Sequence, residues 1–176
     1  MATSPDALPP RGERGFHVVV ETPRGSLGKF KYEPALGAFT LSRPLPLGLH
    51  YPFDWGFVPG TTADDGDPVD ALVYWEGQSP PGTVLVCRAL GVLQADQLVA
   101  RGAKRRERND RVLAAPAKSP RLDAASGALT LPARVREEIE HFFRASTHFE
   151  EKKVRFLGWR GPREAEAMLR RAARRG

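Results

Sequence analysis

One cysteine in 176 residues, Cys87, rules out an intrachain disulfide and makes a reducing compartment the expected setting. It lies in the apolar run Val84-Leu85-Val86-Cys87, which reads as a buried structural thiol. There is no Cys-x-x-Cys and no His-Glu-x-x-His, so the common zinc arrangements are excluded. The four histidines, His17, His50, His141 and His148, are scattered and read as packing or surface residues. Gly25-Ser26-Leu27-Gly28-Lys29 is too short for a P-loop. No apolar run approaches the roughly 18 residues that a membrane helix needs. The opening, Met1 to Gly15, is polar and Pro-rich without an apolar leader, so cytoplasmic residence is expected.

A hydrophobic content of 41% with 27% charged residues suits a globular chain of a size that buries a sizeable core. Residues 1–14 read as a disordered lead-in and 15–176 as a single domain. Strand-like text runs through Phe16 to Val20, Lys29 to Glu33 and Ala38 to Leu41. It continues through the alternating aromatics Tyr51, Phe53, Trp55 and Phe57, then Asp70 to Trp75, Thr83 to Leu93, Arg111 to Ala115 and Lys153 to Trp159. Helical periodicity comes late. Val135, Ile139, Phe142 and Phe143 follow Pro132, while Ala165, Met168, Leu169 and Ala172 follow Pro162. The expectation is a mainly β, α+β fold: a small antiparallel barrel with two C-terminal helices.

The densest chemistry is Asp64-Asp65-Gly66-Asp67-Pro68-Val69-Asp70, four carboxylates in seven residues. Acids this close repel unless a cation sits among them. Gly66 allows a tight turn and Pro68 fixes φ beside it. Hard divalent cations such as Mg²⁺ take oxygen ligands of this kind. An ordinary acidic surface turn would use the same residue types. An EF-hand fails on register: counted from Asp65, the obligatory glycine position holds Asp70 and the fifth holds Val69.

Cations flank the loop. Strand alternation puts Lys29, Lys31 and Glu33 on one face, and Arg43 ends the next strand. Metal for some phosphate oxygens and Lys or Arg for the rest is what a metal–polyphosphate site requires. At these residues the chain resembles the soluble family I inorganic pyrophosphatases. The likeness spans about Phe16 to Trp159, through Glu21, Lys31-Tyr32-Glu33, Gly37-Ala38, Arg43, Tyr51-Pro52, Gly56, Asp65-Gly66-Asp67-Pro68-Val69-Asp70, Gly91-Val92 and His141-Phe142-Phe143. The acidic run fits the family pattern D-G-D-P-x-D.

The resemblance implies a five-stranded OB-like barrel and Mg²⁺-dependent hydrolysis of pyrophosphate to two orthophosphates. Asp65 and Asp70 would ligate metal, and Asp67 would take the proton of a metal-bound water. Lys31 and Arg43 would grip phosphate oxygens, with Tyr51 and Trp55 in the wall of the site. Glu21 and Glu33 would orient the metal's ligands from behind. A homo-oligomer is the expected assembly.

Departures from the pattern concern the remaining ligands. Asp96 would serve as a metal ligand if its loop shifts by one residue. Direct alignment puts Asn109 at a further ligand position and Arg111 at a phosphate-binding Lys. Asp110 is a second candidate ligand, turned elsewhere if the strand register holds. Ser146-Thr147 replaces a Tyr-Lys pair, and Trp55 replaces a Tyr. The inserted Arg-rich loop, 101–108, with the net charge of +6, keeps a second reading open: a weakened or inactive relative that binds polyphosphate, nucleotide or nucleic acid.

Overall fold

In a computed structural model, residues 4–100, 102, 104–120, 122, 126–151 and 153–175 are described. Arg101 of the inserted loop lies outside them. The strands are β1 (Arg11–Gly12), β2 (Gly15–Thr22), β3 (Gly28–Glu33), β4 (Ala38–Pro44), β5 (Asp54–Val58), β6 (Val69–Val73), β7 (Val84–Leu98), β8 (Arg106–Arg108), β9 (Arg111–Pro116) and β10 (Val154–Arg160). Two helices, α1 (Ala133–Ser146) and α2 (Pro162–Ala173), flank β10 in sequence.

Hydrogen bonding closes a ring through β2, β5, β6, β9 and β7, with β7 returning to β2. This is the expected five-stranded barrel, with one refinement. Its seams are antiparallel except β6–β9, where Asp70 to Val73 run parallel to Arg111 to Ala114. The long segment between these two strands allows that crossing, since parallel neighbours cannot be joined by a hairpin. β7 is the spine: successive stretches of it pair with β2, β9, β10 and β8. β8 falls inside the Arg-rich insertion, which was not expected to form a strand. Gly56 makes the β2–β5 seam possible, because a Cβ there would lie 1.9 Å from the Val19 carbonyl oxygen.

Strand alternation sorts the core into two clusters. Val69, Ala71 and Val73 of β6 and Val112 and Ala114 of β9 pack with Ala165, Leu169 and Ala172 of α2. On the alternate positions Leu72, Leu113 and Ala115 meet Tyr51, Trp55 and the α1 residues Ile139, Phe142 and Phe143. Both predicted helical stripes thus face core. α2 starts on Pro162, carries Glu164 in its first turn and Arg170 and Arg171 in its last, matching its dipole at each end. Cys87 is fully buried, and burial pushes its thiol up to about 12, consistent with a structural role.

The segment read as a disordered lead-in has defined partners from Ser4 onward. Arg11 and Gly12 pair with Phe16 and Gly15, and Pro9 O lies 2.7 Å from His17 Nδ1. Ser4 Oγ lies 2.7 Å from Tyr32 Oη, and Arg11 pairs with Glu166 of α2. No helix among the described residues is long and apolar enough to cross a membrane.

Candidate active site

The β3–β4 hairpin forms its own two-stranded sheet, standing off the barrel. Between hairpin and barrel opens a cleft of about 780 Å³. On β6, alternation turns Asp70 away from the α2 cluster and onto the cleft, directly opposite Arg111 of the parallel strand β9. The turn before β6 supplies Asp65 and Asp67, β2 supplies Glu21, and the hairpin supplies Lys29, Lys31, Glu33 and Arg43. Gly66, at φ +88°, makes the turn. Ala63 N–H donates to Asp67 O at 2.8 Å, and Asp67 N–H donates to Asp65 Oδ1 at 3.3 Å.

An adjoining chamber of about 470 Å³ is walled by Tyr51, Trp55, Arg111, Phe143, Ser146 and Thr147. The Arg111 guanidinium lies 4.7 Å from the Phe143 ring centre, and Lys29 Nζ lies 5.7 Å from that of Trp55. Trp55 Nε1 and Arg111 Nε are buried donors without an acceptor among the described residues. Buried N–H groups left this way are costly, and an anion entering the chamber would satisfy them.

The electrostatics show strain of both signs. Burial pushes the Glu21 carboxyl up to about 7; Tyr32 N–H, donating at 2.7 Å, opposes this, and the Asp70 charge adds to it. Asp65 is raised by burial and, against the Asp67 N–H, by the charges of Asp70 and Asp67. Asp70 is raised by burial at the cleft floor despite Lys29, Arg111 and Lys31. Burial also lowers Lys29 and Arg111, with Asp70 opposing in each case. It raises the Tyr51 phenol as well, against the Arg43 charge. Among the described residues neither Lys29 nor Lys31 makes an ion pair with Asp65, Asp67 or Asp70.

Among the described residues no three His, Cys, Asp or Glu side chains form a closed metal cage. An open, oxygen-lined cleft still fits Mg²⁺, which keeps several waters and is held by one or two carboxylates with substrate phosphate.

The structure brings together Asp65, Asp67, Asp70, Lys31, Arg43, Glu21 and Glu33, with Tyr51, Trp55 and Arg111 next door. It does not bring in Asp96 or Asp110. The Asp96 carboxylate is 2.5 Å from Arg155 Nη2 and is also bound by Arg106 Nε. Desolvation, which alone would raise its pKa, is outweighed by hydrogen bonds from Arg155 and Arg106, so the carboxyl sits below its ordinary value. Asp110 takes a fork from Arg108, Nε–H to Oδ1 at 3.1 Å and Nη2–H to Oδ2 at 2.7 Å, and its Oδ1 accepts from Ala95 N–H at 2.9 Å. Both expected ligands are corrected by the period of two along a strand: their neighbours Gln97 and Asn109 line the cleft instead. Lys29, Gln97, Glu150 and Asp6 also line it without having been singled out as site residues. Of these, Lys29 alone carried a signal, its alternation with Lys31.

Comparison with known proteins gives the family. The inorganic pyrophosphatase family model matches residues 18–176. The chain belongs to the family I inorganic pyrophosphatases. It is 40% identical over 152 residues to the inorganic pyrophosphatase of Thermus thermophilus, covering 85% of this chain and 83% of that one. The Synechocystis enzyme is 34% identical over 154 residues, covering 87% of each. A crystal structure of the Thermus thermophilus pyrophosphatase superposes with a TM-score of 0.89 at 34% identity, covering 98% of both chains. The family is one of metal-dependent hydrolases.

Proposed function

We propose that the chain hydrolyses inorganic pyrophosphate to two orthophosphates with Mg²⁺. The observation that carries this reading is one cleft holding Asp65, Asp67 and Asp70 beside Lys29, Lys31 and Arg43, with no ion pair between the two sets. Charges kept apart in this way are held ready for a metal on one side and phosphate on the other. Asp65 and Asp70 would hold Mg²⁺, with Asn109 and Gln97 offering neutral oxygens beside them. When bound, the ion neutralises phosphate charge and acidifies water.

The chain's own residues do the rest. Exposed Asp67 accepts a proton from the attacking water, and Lys31 and Arg43 hold phosphoryl oxygens. Arg111 Nε and Trp55 Nε1 find their acceptor in the phosphoryl group of the second chamber, against the Tyr51 wall. Glu21 fixes the hairpin through Tyr32 N–H, and Glu33 stands at the rim. Assembly of several copies belongs to the same proposal, and light scattering measures it.

The nucleic-acid reading loses its footing in the ion pairs. Arg106 and Arg155 are spent on Asp96, Arg108 on Asp110 and Arg175 on Asp64. Arginines held in such pairs offer less to a phosphate backbone than free ones would.

The test is orthophosphate release from pyrophosphate, with nucleoside triphosphates and short polyphosphates alongside. Release should require Mg²⁺ and fall at least about 100-fold in D67N, the scale of a lost general base. The variant's melting temperature should stay within a few degrees of the parent's. A folded wild-type protein that releases no phosphate from pyrophosphate would sink the reading.

A further inference from the structure

We propose that Glu107 is a positioning residue that acts through Gln97. By accepting the Gln97 amide N–H it turns the amide oxygen toward the cleft, as a ligand for a divalent cation there. The inference rests on the metal-dependent reading above and deepens it, and it gives the Arg-rich insertion a task in the site.

The insertion supplies this residue by alternation. β8 reads Arg106-Glu107-Arg108 and pairs antiparallel with β7, Glu107 directly opposite Gln97. Side chains opposite one another across two strands share a face, and their flanking neighbours take the other. Arg106 and Arg108 take it: the first is bound to Asp96 and to Lys153 O, the second to Asp110. The strand thus keeps its arginines on the far side and sends its one acid to the face that carries Gln97. That face belongs to the site, since Gln97 is 7% exposed and lines both chambers. Asn109, two residues beyond Glu107, lines both as well. Asp65, raised first by burial, also feels the Glu107 charge, so the two carboxylates lie within electrostatic reach.

An amide has a donor end and an acceptor end, and its neighbours decide which one a ligand meets. Gln97 Nε2 donates to Glu107 Oε1 at 3.1 Å. A carboxylate only accepts, so this bond orients the amide: Nε2 toward β8 and Oε1 away from it. Gln97 Oε1 makes no hydrogen bond among the described residues. Turned over, the amide would present an N–H, and a hard divalent cation takes oxygen. Partners that orient a ligand from behind are worth about 10–100-fold in metal affinity.

Calorimetric titration with Mg²⁺ alone tests this on wild type, E107Q, E107L, Q97A and the Q97A/E107L double variant, with melting temperatures beside it. E107L should weaken Mg²⁺ binding about tenfold. E107Q keeps an oxygen that accepts the Gln97 N–H and should stay within about threefold of wild type. Q97A should lose about as much as E107L, and the double variant no more, since both remove the same oxygen. Every variant should melt within a few degrees of wild type, because one cross-strand pair contributes little. Unchanged affinity in E107L would overturn the proposal. So would E107Q as weak as E107L, which marks the charge of Glu107 and not its hold on the amide. Losses that add in the double variant would overturn it too, because the two residues would then act separately. Affinity lost only together with a large fall in melting temperature would mark a structural pair. Phosphate release from pyrophosphate is read on the same samples. Wild type that shows the expected pattern but releases no phosphate would defeat the hydrolytic reading alone, and wild type that binds no Mg²⁺ would defeat both.

Discussion

Glu21 shows what one carboxylate costs in this cleft. It is 5% exposed, and burial raises its pKa from 4.5 to about 7. In the unfolded chain it ionises near 4.5, so between 4.5 and about 7 the folded state binds more protons than the unfolded state. Stability therefore falls as pH rises through that window, by about 3 kcal/mol for the full shift. Glutamine keeps an acceptor for the Tyr32 N–H and removes the charge. In metal-free buffer E21Q should be more stable than wild type above the window by up to about 3 kcal/mol. The gain should vanish below it, where Glu21 is neutral in both states. Denaturant unfolding on each side of the window measures this, and a pH-independent difference would refute the assignment. A stability penalty kept in a cleft makes sense where the charge is wanted for function.

At the scale of elements, β7 decides which residues reach the site. Gln97 faces the cleft and Asp96 the opposite side, where Arg155 of β10 and Arg106 of β8 close on it. Asp96 is thus a clip holding two neighbouring strands to the spine. D96N should cost on the order of 1–3 kcal/mol in unfolding free energy, as for a buried hydrogen-bonded charge left with weaker partners. Its hydrolytic rate should stay within about threefold, since the carboxylate is turned from the reacting atoms. A collapse of Mg²⁺-dependent release with unchanged stability would restore Asp96 as a ligand. The barrel strands were legible because apolar alternation is local, and the loop from Asp65 to Asp70 was legible because its acids are contiguous. Asp96 was a candidate only on a one-residue shift of its loop and Asp110 only if the strand register failed; the register holds, and a single step along a strand changes the face. β8 hides in Arg-Glu-Arg, text that reads equally as a solvated loop. Lys29 was visible on the face of Lys31, but its recess between chambers exists only once the hairpin stands against the barrel.

For the whole molecule, a net charge of +6 conceals a cleft whose carboxylates are only partly offset by Lys29, Lys31 and Arg111. Asp65, Asp70 and Glu21 all have raised pKa values there, each with burial as the leading cause. A cation that binds the folded chain and not the unfolded one must relieve this and stabilise the fold by mass action. At a Mg²⁺ concentration of about 100 times Kd the gain is about 2.7 kcal/mol. For a chain of this size that is a rise of roughly 5–10 °C in melting temperature. The response separates the carboxylates by where the fold has put them. D70N should lose more than half of the rise, because Asp70 lies in the cleft with no ion-pair partner. D96N and D110N should keep it, although both start from lower melting temperatures, because their carboxylates answer to arginines. A Mg²⁺ response lost equally in all three variants would place the metal on the Arg-rich side of β7 and not in the cleft. No response in wild type would separate this cleft from divalent cations altogether.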